Sequence, residues 1–143
     1  MNVATILKTK GRAVTTDRPD TPLKDIAEKL AFKKIGVIVI IGDGGRVAGI
    51  ISERDLVRVI AERGPAALTM PVSEAMTRTV STCRENSTLD ELMELMTAGR
   101  FRHVPVLDGD ALVGLVSIGD VVKYHLADMA MEVTAMRSYL TTG

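Results

Sequence analysis

The 143-residue chain carries 18 Lys plus Arg against 18 Asp plus Glu, so its formal net charge is zero. That balance argues against nucleic acid as a partner, because holding a duplex by its phosphates needs a positive excess. Two Tyr, two Phe and no Trp also leave little with which to stack bases, and the single cysteine, Cys83, excludes an internal disulfide and a multi-cysteine metal site.

Apolar residues make up 46% of the chain, enough for a core built from Val, Ile, Leu, Met and Ala. The longest aliphatic run, Val37 to Ile41, is far too short to span a bilayer. Met1 to Arg12 lacks the apolar region and cleavage site of a signal peptide. The expectation is a cytoplasmic protein with no membrane segment.

Val3 to Leu7 reads as a short helical turn, followed by a basic loop, Lys8 to Arg12, expected to be a solvated connector. Val14-Thr15-Thr16 reads as a short β segment. Thr21-Pro22 opens a helix, with Leu23, Ile26, Ala27, Leu30 and Ala31 on one face. After the break at Gly36, Val37 to Ile41 is β-branched throughout and predicts a strand buried on both faces. Gly42 to Gly45 is a tight turn and Arg46 to Ile51 the returning strand. Ser52 starts a helix with Leu56, Val59 and Ile60 inward, which Gly64-Pro65 ends.

Ala66 to Pro71 reads as a linker, and the pattern then recurs. Val72 to Met76 matches Val3 to Leu7, and Val80-Ser81-Thr82 is the second β segment. Ser87-x-x-Asp90 forms a capping-box pattern before a helix with Leu89, Leu92, Met93 and Met96 inward. Arg102 to Leu107 and Ala111 to Val116 are strands about an Asp108-Gly109-Asp110 turn, and Ser117 starts the last helix. The expected division is 1–13 as a short helix and connector, 14–63 as the first repeat, 64–79 as a linker, 80–124 as the second repeat, and 125–143 as an extended helix. Each repeat is strand, helix, strand, strand, helix. Neither can bury both faces alone, so the halves are expected to pack together as a pseudo-twofold pair of three-stranded sheets.

The repeat is sharpest where a strand runs into a helix. Gly49-Ile50-Ile51-Ser52-Glu53-Arg54-Asp55 and Gly114-Leu115-Val116-Ser117-Ile118-Gly119-Asp120 place Gly, Ser and Asp 65 residues apart in each case. Ser-x-x-Asp is a capping box in its own right. A helix start with free amides, a hydroxyl and a carboxylate can also hold a phosphate at one edge and a ribose diol at the other. Asp120 is the strongest candidate, with Ser117 and the amides of Ile118 and Gly119 beside it. In the last helix Val122, Leu126, Met129, Val133, Met136 and Leu140 follow steps of 4, 3, 4, 3 and 4. That heptad seam suits packing either on the chain's own body or on a symmetry mate.

These paired motifs, with the strand Arg102-His103-Val104-Pro105-Val106, resemble a tandem CBS-domain pair, or Bateman module, over roughly Val3 to Val122. The resemblance implies an α/β module whose repeats meet at their sheets and leave two clefts for an adenosine-containing ligand: AMP, ADP, ATP or NADH. It implies a regulatory rather than catalytic role, a homodimer, and a regulated protein acting in trans. By the family pattern one cleft would use Gly11, Val14, Thr15, Ile35, Gly36 and Val37 with Arg102, His103, Pro105, Ser117, Ile118, Gly119 and Asp120. The other would use Ser52, Arg54 and Asp55 with Val80, Ser81 and Phe101. Arg54 stands where the second copy has Gly119, and suits either a phosphate clamp, a plug or a surface ion pair. The alternative function is a dimerisation module with empty clefts.

Overall fold

The computed structural model describes residues 1–142. In chain order the elements are α1 (Val3–Lys10), β1 (Thr16–Asp17), α2 (Leu23–Lys33), β2 (Val37–Ile41), β3 (Val47–Ser52), α3 (Glu53–Arg63), α4 (Leu89–Gly99), β4 (His103–Asp108), β5 (Ala111–Ser117) and α5 (Ile118–Thr142). Among the described residues they form two α/β halves. The first has a three-stranded sheet in the order β1-β2-β3, and the second a two-stranded sheet, β4-β5.

The two halves repeat down to the register. Val37 pairs with Ser52 in one and His103 with Ser117 in the other. Both hairpins shift register at the same place, between Ile40 and Ile41 and between Val106 and Leu107. Gly36 is therefore equivalent to Arg102, and Glu53 to Ile118; the Gly36 carbonyl accepts from Glu53 N and the Arg102 carbonyl from Ile118 N.

Each half has its own core. Leu23, Ile26 and Leu30 of α2 pack on Ile38, Ile40 and Ile51 in the first, as the sequence periodicity requires. Each fully buried Ile there contributes roughly 1.5–3 kcal/mol. Leu89, Leu92 and Met96 of α4 pack on Val104, Val106 and Val116 in the second. The segments leading into the repeats are exchanged between these cores. Val3, Ile6 and Leu7 of α1 belong to the second core, while Ala67, Val72, Ala75 and Met76 belong to the first. The stretch expected to be a linker is thus a 3-10 helix, Gly64–Thr69, with Ala67 fully buried. Each lead-in also pins the opposite helix start: Leu23 N donates to Met70 O, and Leu89 N to Met1 O.

Four local expectations need correction. Helix α1 does not end at Leu7; it continues to Lys10 and is capped by Gly11 at φ +100, so Lys8 to Lys10 are not a loop. The β segment at Val80 to Thr82 does not form, and only Cys83 bridges to Val106. In the first half Val39 N donates to Thr15 O, but its counterpart in the second half is Pro105, which has no N–H to offer Ser81. The α4 capping box is Thr88 with Glu91, not Ser87 with Asp90; the Ser87 hydroxyl instead accepts from Arg84 N. The two patterns overlap in sequence, and the longer Glu reaches back to the cap amide. Ile60, expected inward, is 40% exposed, and Ala31 is exposed as well.

Candidate functional site

A cleft of about 370 Å³ lies between the halves. The first half contributes Gly36 and Val37 from the start of β2, and Ser52 to Asp55 from the β3–α3 junction. The second contributes Arg100, Phe101, Arg102 and His103, between the end of α4 and the start of β4. Ile50 and Thr77 complete the wall.

Backbone geometry aims the second group. Arg100 closes α4 in the left-handed conformation, φ +57, as Lys34 closes α2 at φ +55. A non-glycine residue held there carries a local conformational cost. A Cβ at Gly99 before it would lie 2.1 Å from the Phe101 ring, so a side chain there would displace that ring. Phe101 packs on the second core, which fixes Arg100 and Arg102 on either side of it at the cleft.

The cleft is rich in unpaired positive charge. Arg54, Arg100 and Arg102 line it, and none enters an ion pair among the described residues. The surface-pair reading of Arg54 is therefore excluded; it is Arg58 that holds Asp55, at 3.2 Å. Burial, then the nearby Lys10 and Arg102 charges, hold His103 below its ordinary 6.5 despite the opposing pull of Asp120. At neutral pH its ring is uncharged, and it lines the cleft.

Both Ser/Asp pairs form complete capping boxes. The Ser52 amide and hydroxyl donate to Asp55 Oδ2, and Asp55 N donates to Ser52 Oγ. The Ser117–Asp120 pair repeats this. Beyond that the two carboxylates differ. Asp55 faces the cleft with its second oxygen on Arg58. Asp120 lies outside the cleft lining, with Oδ2 2.5 Å from Lys10 Nζ, which also donates to Leu115 O at 2.8 Å. Asp120 Oδ1 accepts no hydrogen bond from the described residues.

The cleft thus brings together Gly36, Val37, Ser52, Arg54, Asp55, Phe101, Arg102 and His103, which the sequence had assigned to two separate sites. It does not include Ser117, Ile118, Gly119 or Asp120, which start α5 with Lys10 beside them. Gly11 caps α1, while Val14 and Thr15 lie in the connector to β1. Ile35 packs against the first core and Pro105 is buried in β4. Val80 lines a separate groove with Arg46, Arg78 and Asp110, and Ser81 is half-buried beside it in sequence. Sequence reasoning missed Arg100, Glu53, Thr77 and Lys10. Arg100 carried a signal, since it sits three residues before the His103 strand and directly after a helix-ending glycine. Cys83 carries no chemistry, as burial pushes its thiol up to about 11.

Burial raises the Asp120 pKa, but the Lys10 ammonium and the Ser117 amide and hydroxyl outweigh it, leaving the carboxyl below its ordinary 3.8. Its stabilising contribution is therefore complete above that value and is lost as pH falls through the lower folded value. Asp120→Asn is expected to cost about 1–2 kcal/mol at pH 7 and to flatten the loss of melting temperature below roughly pH 4. Thermal denaturation between pH 2 and 7 checks this; parallel pH profiles for the two proteins would rule it out.

Comparison with known proteins places this geometry in a family. The CBS domain model matches residues 11–62 and again 72–127, and the chain belongs to the CBS domain family as a tandem pair. A solved CBS-domain containing protein from Agrobacterium tumefaciens is 50% identical with a TM-score of 0.81, covering 85% of this chain and 91% of that one. The CBS domain pair of protein MJ0100, in complex with 5'-methylthioadenosine and S-adenosyl-L-methionine, is 24% identical with a TM-score of 0.78, covering 90% of this chain and 98% of that one. A CBS domain protein from Pyrobaculum aerophilum, complexed with AMP, is 24% identical with a TM-score of 0.74, covering 84% and 89%. At that identity these last two share the fold. Among the described residues no helix is long and apolar enough to cross a membrane.

Proposed function

We propose that the chain is a non-catalytic regulatory module that binds an adenosine nucleotide in the cleft between its repeats and passes the change to a protein in trans. The observation that carries this is the set of Arg54, Arg100 and Arg102, converging without ion-pair partners on a concave site beside Phe101 and Asp55. Guanidinium groups match phosphate oxygens in geometry and charge. The backbone of Gly36 and Val37 and the Phe101 side chain offer a surface for a base, and the Asp55 carboxylate offers an acceptor for a sugar hydroxyl.

Two fold relatives with different ligands sharpen the choice. 5'-Methylthioadenosine carries no phosphate and AMP carries two negative charges, and the three arginines here favour the phosphorylated class. A cleft of about 370 Å³ is near the lower end of ligand sites, which run from roughly 300 to 1,000 Å³. A ligand regulates only if it binds two states of the module unequally. Calorimetric titration with AMP, ADP, ATP, NADH and 5'-methylthioadenosine tests the reading. Saturable binding of AMP, with 5'-methylthioadenosine much weaker, is expected. No heat with any of them at millimolar concentration would leave the alternative, a dimerisation module with empty clefts.

A further inference from the structure

The far end of α5 leaves the body of the protein. Every described residue from Met129 to Thr141 is exposed. The heptad seam lies bare: Leu126 is 59% exposed, Met129 50%, Val133 48%, Met136 66% and Leu140 74%. The reading in which this seam packs on the chain's own body is thereby excluded beyond the first turns of α5. A helical arm of this length, about 20 Å, is marginal in water on its own propensity, and Val133, Thr134, Tyr139 and Thr141 are weak helix formers. Its stability calls for a partner.

We infer that the arm pairs with the same arm of a second copy, as a parallel, in-register coiled coil. The periodicity assigns Leu126, Val133 and Leu140 to a positions, and Val122, Met129 and Met136 to d positions. Glu132 then falls at g and Arg137 at the following e, five residues on. In a parallel pair that offset sets the Glu132 carboxylate of one chain against the Arg137 guanidinium of the other, twice over by symmetry. Neither residue enters an ion pair within the chain. An antiparallel pair would instead face g with g and e with e, placing like charges together. Self-complementary charge on a self-complementary seam selects a second copy over an unrelated helix. The inference does not depend on nucleotide binding.

The test is the mass in solution across a dilution series, by light scattering. The full chain is expected to be a dimer, and a chain ending at Asp128 is expected to dissociate at a concentration at least about tenfold higher. Glu132→Arg or Arg137→Glu alone is expected to weaken the dimer several-fold, and the two together to restore it. Leu140→Cys is expected to give a disulfide-linked dimer on mild oxidation, since a parallel in-register pair brings the two positions together. A monomeric full chain overturns the inference. So does an unchanged dimer after truncation, and so does the absence of the Leu140→Cys cross-link in a dimer. Because the arm touches little else, these variants leave the cleft intact, and calorimetry with AMP on each reports separately on the nucleotide reading.

Discussion

Replacing Arg100 and Arg102 together by alanine is expected to weaken AMP binding by roughly a hundredfold while leaving the melting temperature of the free protein nearly unchanged. Each guanidinium would make a charge-assisted hydrogen bond to phosphate, worth about 1.5–3 kcal/mol when well placed. Both side chains are exposed in the free protein, so the lower end applies to each, and two such losses amount to about 3 kcal/mol. Neither side chain is in an ion pair or a buried contact that folding needs, which is why stability is spared. Lys24→Ala, an equally exposed cation on α2 whose ion pair is with Glu28, serves as the control and is expected to bind normally. Calorimetry on the three proteins decides the matter. An equal loss in both variants would mean that only the general charge of the surface counts. No loss in the Arg100, Arg102 variant would move the ligand elsewhere.

The second large effect concerns the two motif glycines, and it falls on stability. A Cβ at Gly49 would stand 2.6 Å from Met76 Sδ and 2.8 Å from Thr77 O. That carbonyl accepts from Ile50 N at 3.0 Å, and Thr77 N returns a bond to Ile50 O at 2.9 Å. The clash is therefore with backbone held in place on both sides. At Gly114 the Cβ would meet only Leu7, at 2.7 Å from Cδ2. Leu7 is 1% exposed and cannot swing into solvent, but a smaller side chain could make room. Overpacking a core typically costs 1–3 kcal/mol. Gly49→Ala is expected near the top of that range, about 3 kcal/mol, and Gly114→Ala nearer 1–2 kcal/mol. For a chain of this length the first corresponds to a fall in melting temperature of about 10 °C. Adding Leu7→Val should recover part of the Gly114→Ala loss, whereas Met76→Ala should not rescue Gly49→Ala. Chemical denaturation of the single and double variants measures both couplings. Equal rescue at both sites would contradict the backbone contact.

The glycine pair shows what the sequence could and could not reveal. Its recurrence with Ser and Asp at one spacing marked the strand-to-helix junctions, and the matched hairpin registers bear this out. The aliphatic run at Val37 to Ile41 declared a buried strand, and Val37 to Ile40 are all buried. What the glycines make room for was invisible, because Leu7 and Met76 each come from a segment that crosses to a core not obvious from chain order. The same crossing hid Lys10. A basic residue in a basic stretch reads as solvated until a partner 110 positions away is brought beside it.

The site was legible in kind but not in assembly. Arg102, His103, Arg54 and Asp55 were recognisable as chemistry. That they share one cleft depends on how the two halves meet, which local patterning does not encode. Asp120 illustrates the limit most clearly. The capping-box role it has and the ribose-binding role expected of it call for the same residue at the same spacing, and only coordinates reveal the lysine on its Oδ2.

The account stands on nucleotide phosphate lying among Arg54, Arg100 and Arg102. A crystal structure of the protein with AMP bound tests this most directly. The phosphate is expected within hydrogen-bonding distance of at least two of those guanidinium groups, with the adenine toward Gly36, Val37 and Phe101. AMP seated at the Asp120 corner with Lys10 displaced, or a cleft left empty at saturating AMP, would contradict it.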